Sequence, residues 1–388
     1  MARAISSIEM IGKLVAFDTT SRESNLALIE FVRSYLDDFG IASDLVYDAE
    51  RRKANLYATV GPGDRPGILL SGHSDVVPVD GQNWTSEPFA VAARDGRLYG
   101  RGTSDMKSFI AIMLAMVPEF VAAKAPMPVH LALTYDEEVG CIGVRGLIAR
   151  LGHLPVKPKL CIIGEPTLMQ PVVAHKGKRS LRCRVAGHES HSALAHLGVN
   201  AIEIAAEMAV RIRAIARRKR EMGPFDDGFS PPYTTVHTGT IAGGTALNIV
   251  PRECRFDFEI RHLPGDDADA VTEELRRHAT ALLPEMRAVN SEAGIAFEEH
   301  NAIPALATPA DSEVVALARA LTGANALGKV SFGTEGGLYQ QAGIPTVICG
   351  PGSIEQAHRP NEWIALEQVS QCEAFMRRLI GRLQAPSV

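Results

Sequence analysis

Five short segments of this chain gather side chains that can bind metal and move protons. They read Ser71-Gly72-His73-Ser74-Asp75, Gly100-Arg101-Gly102-Thr103-Ser104-Asp105, Tyr135-Asp136-Glu137-Glu138-Val139-Gly140, Gly164-Glu165-Pro166-Thr167 and Gln356-Ala357-His358-Arg359-Pro360. Imidazoles and carboxylates are ligands that zinc takes. A pair of ions roughly 3.5–4 Å apart needs terminal ligands on each and one shared carboxylate. His73, His358 and three acids can fill that scheme. Asp75, two positions after His73, has the reach to hold the second ring nitrogen, the usual support of a metal-bound histidine. Glu137 and Glu138 are neighbours, and neighbours in an extended segment point opposite ways. One can therefore bind metal while the other faces a substrate.

Each residue alone has a plainer explanation. His73 reads as a core histidine, Asp105 as a helix cap, Glu165 as a strand end, and His358 as a surface residue. The set at successive strand ends favours metal chemistry. Other motifs fail. Asp105 stands where a dinucleotide fingerprint needs its third glycine, and His191 comes one residue early for a two-histidine zinc helix after His188. No G-x-S-x-G nucleophile elbow is present.

The elements that must position these residues follow from hydrophobic spacing. Leu26, Ile29, Val32 and Leu36 predict a helix that Gly40 closes. Gly67 to Gly72 reads as a buried strand, Ser108 to Ala122 as a helix, and Val129 to Thr134 and Lys159 to Ile163 as further strands. This rhythm predicts an α/β domain, a mostly parallel sheet flanked by helices. Ligands in such sheets bind beyond the carboxyl ends of the strands. Around Lys178 the pattern changes to strand, helix, two strands, helix, strand, the order of a ferredoxin-like α+β unit. The expected domains are 1–177 with 301–388, holding the metal site, and an inserted 178–300 suited to dimerisation or to acting as a lid.

With 388 residues, two domains are the default. A net charge of −5 gives no reason to expect nucleic acid or an anionic membrane as partner. The run Arg217-Arg218-Lys219-Arg220 reads as a solvated helix end. Six cysteines without a C-x-x-C pair read as reduced, buried thiols, and no leader or membrane span is visible, so a cytoplasmic protein is expected.

Together the five segments resemble the co-catalytic zinc family of N-acyl-amino-acid deacylases and carboxypeptidases, over about Ile8 to Leu379. The resemblance implies that His73, Asp105 and Glu165 hold one zinc and that Asp105, Glu138 and His358 hold the other, with Asp105 bridging. Cobalt is the alternative metal. It implies that Asp75 orients His73, that Glu137 is the general base, and that the Asp105-Met106 peptide is cis. His191, in Gly187-His188-Glu189-Ser190-His191-Ser192, matches an oxyanion donor that the family supplies from the second subunit of a homodimer. Asn248 and Arg261 match positions that grip a substrate carboxylate; as structural residues they would form a turn and cap a strand. Phe332 to Tyr339, Gly350 to His358 and His175-Lys176-Gly177 are similar to the branch acting on N-acetylornithine in arginine biosynthesis. Glu335 is there a candidate for the substrate's free amino group, or else a cap of the following helix. A desuccinylase, aminoacylase or dipeptidase of the same family is the alternative, and a catalytically silent binding protein is the reading outside enzymes.

Overall fold

The computed structural model describes residues 4–384; residues 1–3 and 385–388, at the ends of the expected metal-binding domain, lie outside the described residues. The chain forms two compact units. One comprises the described part of Met1–Ala174, Leu306–Gly328 and Thr334–Val388, and the other His175–Ala305 with Lys329–Gly333.

The first unit is built on one sheet. Its strands lie in the order Ser43–Tyr47, Ala54–Val60, Val129–Thr134, Ile68–His73, Leu160–Pro166, Thr346–Gly350, Val172–His175 and Leu306–Ala307. The four strands from Val129–Thr134 to Thr346–Gly350 run parallel, and antiparallel pairings flank them. All four are buried along their whole length, which is why they read as unbroken apolar runs. The mostly parallel sheet is therefore present, with antiparallel pairings at its margins.

The helix Lys107–Ala115 has eight buried residues, among them Phe109, Ile110 and Ile112. Each such side chain contributes roughly 1.5–3 kcal/mol by leaving water. It packs on the sheet so closely that only glycine fits beneath it. A Cβ on Gly164 would stand 1.9 Å from Phe109 Cγ, and one on Gly72 would stand 2.8 Å from Met106 Cε. These two glycines precede Glu165 and His73, so the packing that seats the helix also fixes both ligand positions. The single helix expected over 108–122 is instead two, Lys107–Ala115 and Val117–Ala123. Pro118 at the start of the second lacks the amide needed to continue the first.

A small antiparallel sheet completes the unit. Trp363–Ala365 pairs with Arg97–Tyr99, which pairs with Ala92–Arg94. It brings Glu362 beside the loop that begins at Gly100.

The second unit is an antiparallel sheet in the order Thr235–Gly243, Glu253–His262, Gly177–Ala186, Gly294–Ile303. That order, with helices Ala201–Met222 and Ala268–Val289 between the strands, is the ferredoxin-like arrangement. Leu181, Cys183, Val185, Phe256 and Ile260 form its core with Met208, Ile212 and Leu275. The side chains of Asn200 and Asp267 cap the two helices by accepting from the amides two and three residues on. The second helix runs on through Pro284 to Val289. Among the described residues no helix is long and apolar enough to cross a membrane. All six cysteines are free and buried.

Candidate metal centre

The parallel strands deliver the expected side chains to one rim. His73 is the last residue of Ile68–His73 and Glu165 the sixth of Leu160–Pro166. Glu137 and Glu138 follow Val129–Thr134, and His358 follows Thr346–Gly350. Asp105 ends the loop before Lys107–Ala115, and its peptide to Met106 is cis.

These side chains meet. His73 Nε2 lies 2.9 Å from Asp105 Oδ1 and 3.8 Å from Glu165 Oε1. His358 Nε2 lies 3.0 Å from Glu138 Oε2 and 3.4 Å from Asp105 Oδ2. Asp105 thus turns one oxygen to each histidine, the disposition of a bridging ligand. One ligand atom each from His73, Asp105 and Glu138 lies within 4.8 Å of the others, and so does one each from His73, Glu137 and Glu165. The second group places Glu137 as near a metal position as the residues expected to ligate.

The electrostatics ask for cations. Burial raises the Glu137 and Glu165 carboxyls well above the usual carboxylate range, and neighbouring acids add to this. Glu138 is pushed up to about 7 by burial and by Asp105. Burial works against ionised Asp105 too, but its bonds to His358 and His73 hold it below its ordinary value. His358 is pushed up to about 10 by its bonds to Asp105 and Glu138. Without metal, protons and imidazolium ions must balance the acids. Divalent ions can replace them, and binding then releases protons. Two imidazoles and three carboxylates, with one carboxylate shared and Glu137 beside them, are a donor set that fits two ions of this kind.

Asp75 departs from expectation in how it acts. His73 Nδ1 lies 2.9 Å from the Asp75 main-chain carbonyl, while the nearer Asp75 carboxylate oxygen is 3.6 Å away. The carboxylate instead accepts from the Glu137 amide at 3.1 Å, the Glu138 amide at 3.3 Å and the Ser21 hydroxyl at 2.8 Å. A carbonyl can fix the ring tautomer as well as a carboxylate can, and this frees the carboxylate to hold the acidic pair.

Three contacts were not foreseen. Glu362, 1% exposed, accepts from the amides of Ser104 at 2.7 Å, Asp105 at 3.0 Å and Gly102 at 3.0 Å, and pairs with Arg101 Nη1 at 2.7 Å. Burial raises its carboxyl above the ordinary value, against the pull of Arg101 and the amides. Glu362 cradles the loop that carries Asp105. Cys141 Sγ lies 3.4 Å from Glu137 Oε1. Lys53 pairs with Asp136 at 2.5 Å. An acid just before the strand Trp363–Ala365 is the only sequence signal for Glu362, and a weak one.

Glu335 is 1% exposed, its Oε1 has no hydrogen-bond partner, and burial pushes its carboxyl up to about 7. Its side chain makes no cap bond to the following helix Gly336–Gln341; Thr334 Oγ1 accepts the Gly336 amide instead.

His191, Asn248 and Arg261 belong to the second unit. The Ser192 amide donates to the Asn248 carbonyl at 3.0 Å, so the loops of His191 and Asn248 are joined. His191 Nδ1 accepts from the Ala193 amide at 3.0 Å, which leaves the proton of the neutral ring on Nε2. Arg261 lies near the far end of Glu253–His262, where its Nε donates to Glu259 Oε1 at 2.8 Å.

Residues 69–382 match the model of "Peptidase family M20/M25/M40". Acetylornithine deacetylase of Proteus mirabilis is 35% identical over 94% of this chain and 92% of its own. Proteins of the same name from Pasteurella multocida and Myxococcus xanthus match at 33% and 37%. The crystal structure of aminopeptidase PepT from Bacillus cereus superposes with a TM-score of 0.75 at 20% identity, over 99% of this chain and 100% of that one. A dinuclear metal-binding peptidase of Bacillus subtilis has a TM-score of 0.67 at 17% identity, over 97% of each chain.

Proposed function

The chain belongs to peptidase family M20/M25/M40 and is a metallo-hydrolase, and from that membership we propose that it hydrolyses N2-acetyl-L-ornithine to L-ornithine and acetate in arginine biosynthesis. The buried meeting of His73, Asp105, Glu138, Glu165 and His358 beside Glu137 carries this reading. The name shared by relatives at 33–37% identity supports the choice of substrate.

His73 and Glu165 would hold one zinc ion, Glu138 and His358 the other, and Asp105 both; cobalt suits the same donors. When bound, such ions would polarise the amide carbonyl and make an attacking water more acidic. Glu137, whose carboxylate lies beside His73 and Glu165, is placed to take a proton from the attacking water and return it to the leaving nitrogen. Asp75 holds Glu137 and Glu138 by their amides.

The second unit would dimerise and close over the substrate in a cytoplasmic homodimer. In it, His191 of the partner subunit donates from Nε2 to the oxyanion. Asn248 and Arg261 bind the substrate carboxylate, where the guanidinium fork matches the two oxygens. Glu335, with one unpartnered oxygen, is the candidate counter-charge for the ornithine ammonium group.

A kinetic panel tests the substrate: N-acetylornithine, N-succinyl-diaminopimelate, N-acetylmethionine and simple dipeptides. The reading stands if acetylornithine has the highest kcat/KM. It fails if another amide is preferred.

A further inference from the structure

Glu137 and Glu138 do not sit on a strand. They open a tight turn whose first residue, Asp136, has φ +55°, the left-handed region that a side chain disfavours. Main-chain bonds close the turn from inside: the Gly140 and Cys141 amides donate to the Glu137 carbonyl, and the Ile142 amide to that of Asp136. From outside, the amides of Glu137 and Glu138 are held by the Asp75 carboxylate. The direction in which Glu137 points thus depends on how firmly Asp75 and Asp136 are fixed.

One cation touches both supports. Lys53 Nζ pairs with Asp136 Oδ1 at 2.5 Å and also donates to the main-chain carbonyl of Ser21. The Ser21 hydroxyl donates to Asp75 Oδ2 at 2.8 Å. Lys53 and Asp136 side chains are only 13% and 16% exposed, so water screens the pair little. Lys53 is itself anchored, its amide donating to Asp48 Oδ1 at 3.0 Å just before the strand Ala54–Val60. From this geometry we infer that Lys53 is a positioning residue for the Glu137–Glu138 pair: its ammonium bolts the turn that carries the acids to the Ser21 loop that steadies Asp75. Its ammonium meets Asp136 and the Ser21 carbonyl, neither of them a metal ligand, and it acts on the reaction by setting where the base carboxylate lies.

The inference rests on the reading of Glu137 as the base, and the two can be separated. In Lys53→Met, kcat on the best amide of the panel should fall about 10- to 100-fold, the usual effect of removing an outer-shell support. KM should stay within about threefold, with the bound-metal count unchanged. Lys53→Arg should recover most of the loss. Asp136→Asn should give the same fall in kcat, and the double variant should be no worse than either single one, because both remove one device. Asp136→Asn also serves if Lys53→Met does not fold. Wild-type kcat in a folded Lys53→Met or Asp136→Asn would overturn the inference, as would a loss confined to metal content or to KM. Glu137→Gln is the control. If it stays active, the reading of the base fails. If it is dead while Lys53→Met is unimpaired, only the positioning role fails.

Discussion

Replacing Glu362 by glutamine removes one charge from a residue that no motif singles out, and it should destabilise the protein strongly. The carboxylate accepts four hydrogen bonds, the Ser104 and Asp105 amides on one oxygen and the Gly102 amide and Arg101 on the other. All of its partners are donors. The glutamine amide nitrogen must therefore face two of them, whichever way the side chain is flipped. Bonds to a charged acceptor are worth about 1.5–3 kcal/mol each. Breaking a buried pair from one side costs about 3–5 kcal/mol, because the other charge is stranded. With the amide nitrogen turned to Arg101, that 1% exposed guanidinium keeps hydrogen bonds only to Gln82 and the Arg359 carbonyl, and no counter-charge. A loss of about 3–5 kcal/mol is expected. At about 2–4 °C per kcal/mol for a unit of this size, the midpoint should drop by roughly 6–20 °C. Calorimetry on the metal-loaded protein reads the shift, and titration with a competing chelator should show weaker metal binding, because the loop that presents Asp105 loses its cradle. A Glu362→Gln variant that melts within about 1 kcal/mol of wild type and keeps its metal affinity would refute this reasoning.

The other expectations concern the site and its scaffold. Glu137→Gln should lower kcat/KM by about 10²–10⁴-fold with both metals retained, measured by steady-state kinetics beside elemental analysis; retained activity would remove the base from the mechanism. A strong chelator should abolish hydrolysis, and added zinc should restore it; activity that survives complete metal removal would contradict the site. Gly164→Ala should destabilise by about 1–3 kcal/mol or more in urea unfolding, since its Cβ would stand 1.9 Å from Phe109. His130 is buried with Nδ1 on Tyr57 and Nε2 unpartnered, and burial lowers it to about 4. An imidazole held neutral when folded stabilises above its unfolded value of 6.5, and that stability drains away as pH falls from there towards 4. The loss at pH 5 relative to pH 7.5 is about 2 kcal/mol from this group. A His130→Gln variant should show that much less acid sensitivity, and equal sensitivity would rule the histidine out as the cause.

Much of the site was legible because parallel strands announce themselves. Ile68–His73, Val129–Thr134 and Leu160–Pro166 are apolar runs, and the polar residues at their ends have no folding reason to be there. The strand and helix order of the second unit was legible for another reason, since periodicity marks where each element lies. What the sequence does not carry is which atom of a residue meets which neighbour. Asp75 stands two positions from His73, yet its carbonyl serves the ring and its carboxylate serves a turn some sixty residues away. Glu362, Lys53 and Ser21 act through partners distant along the chain, and nothing in their local spacing says so. The break at Met116 was visible in Pro118, but the apolar run across it outweighed that single residue.

The central claim is that two divalent ions sit among these six acids and imidazoles. Anomalous diffraction from zinc-soaked crystals, recorded on both sides of the zinc edge, tests it directly. Two peaks are expected, one enclosed by His73, Asp105 and Glu165 and the other by Asp105, Glu138 and His358. A single peak there, or none with zinc bound elsewhere on the chain, would contradict it.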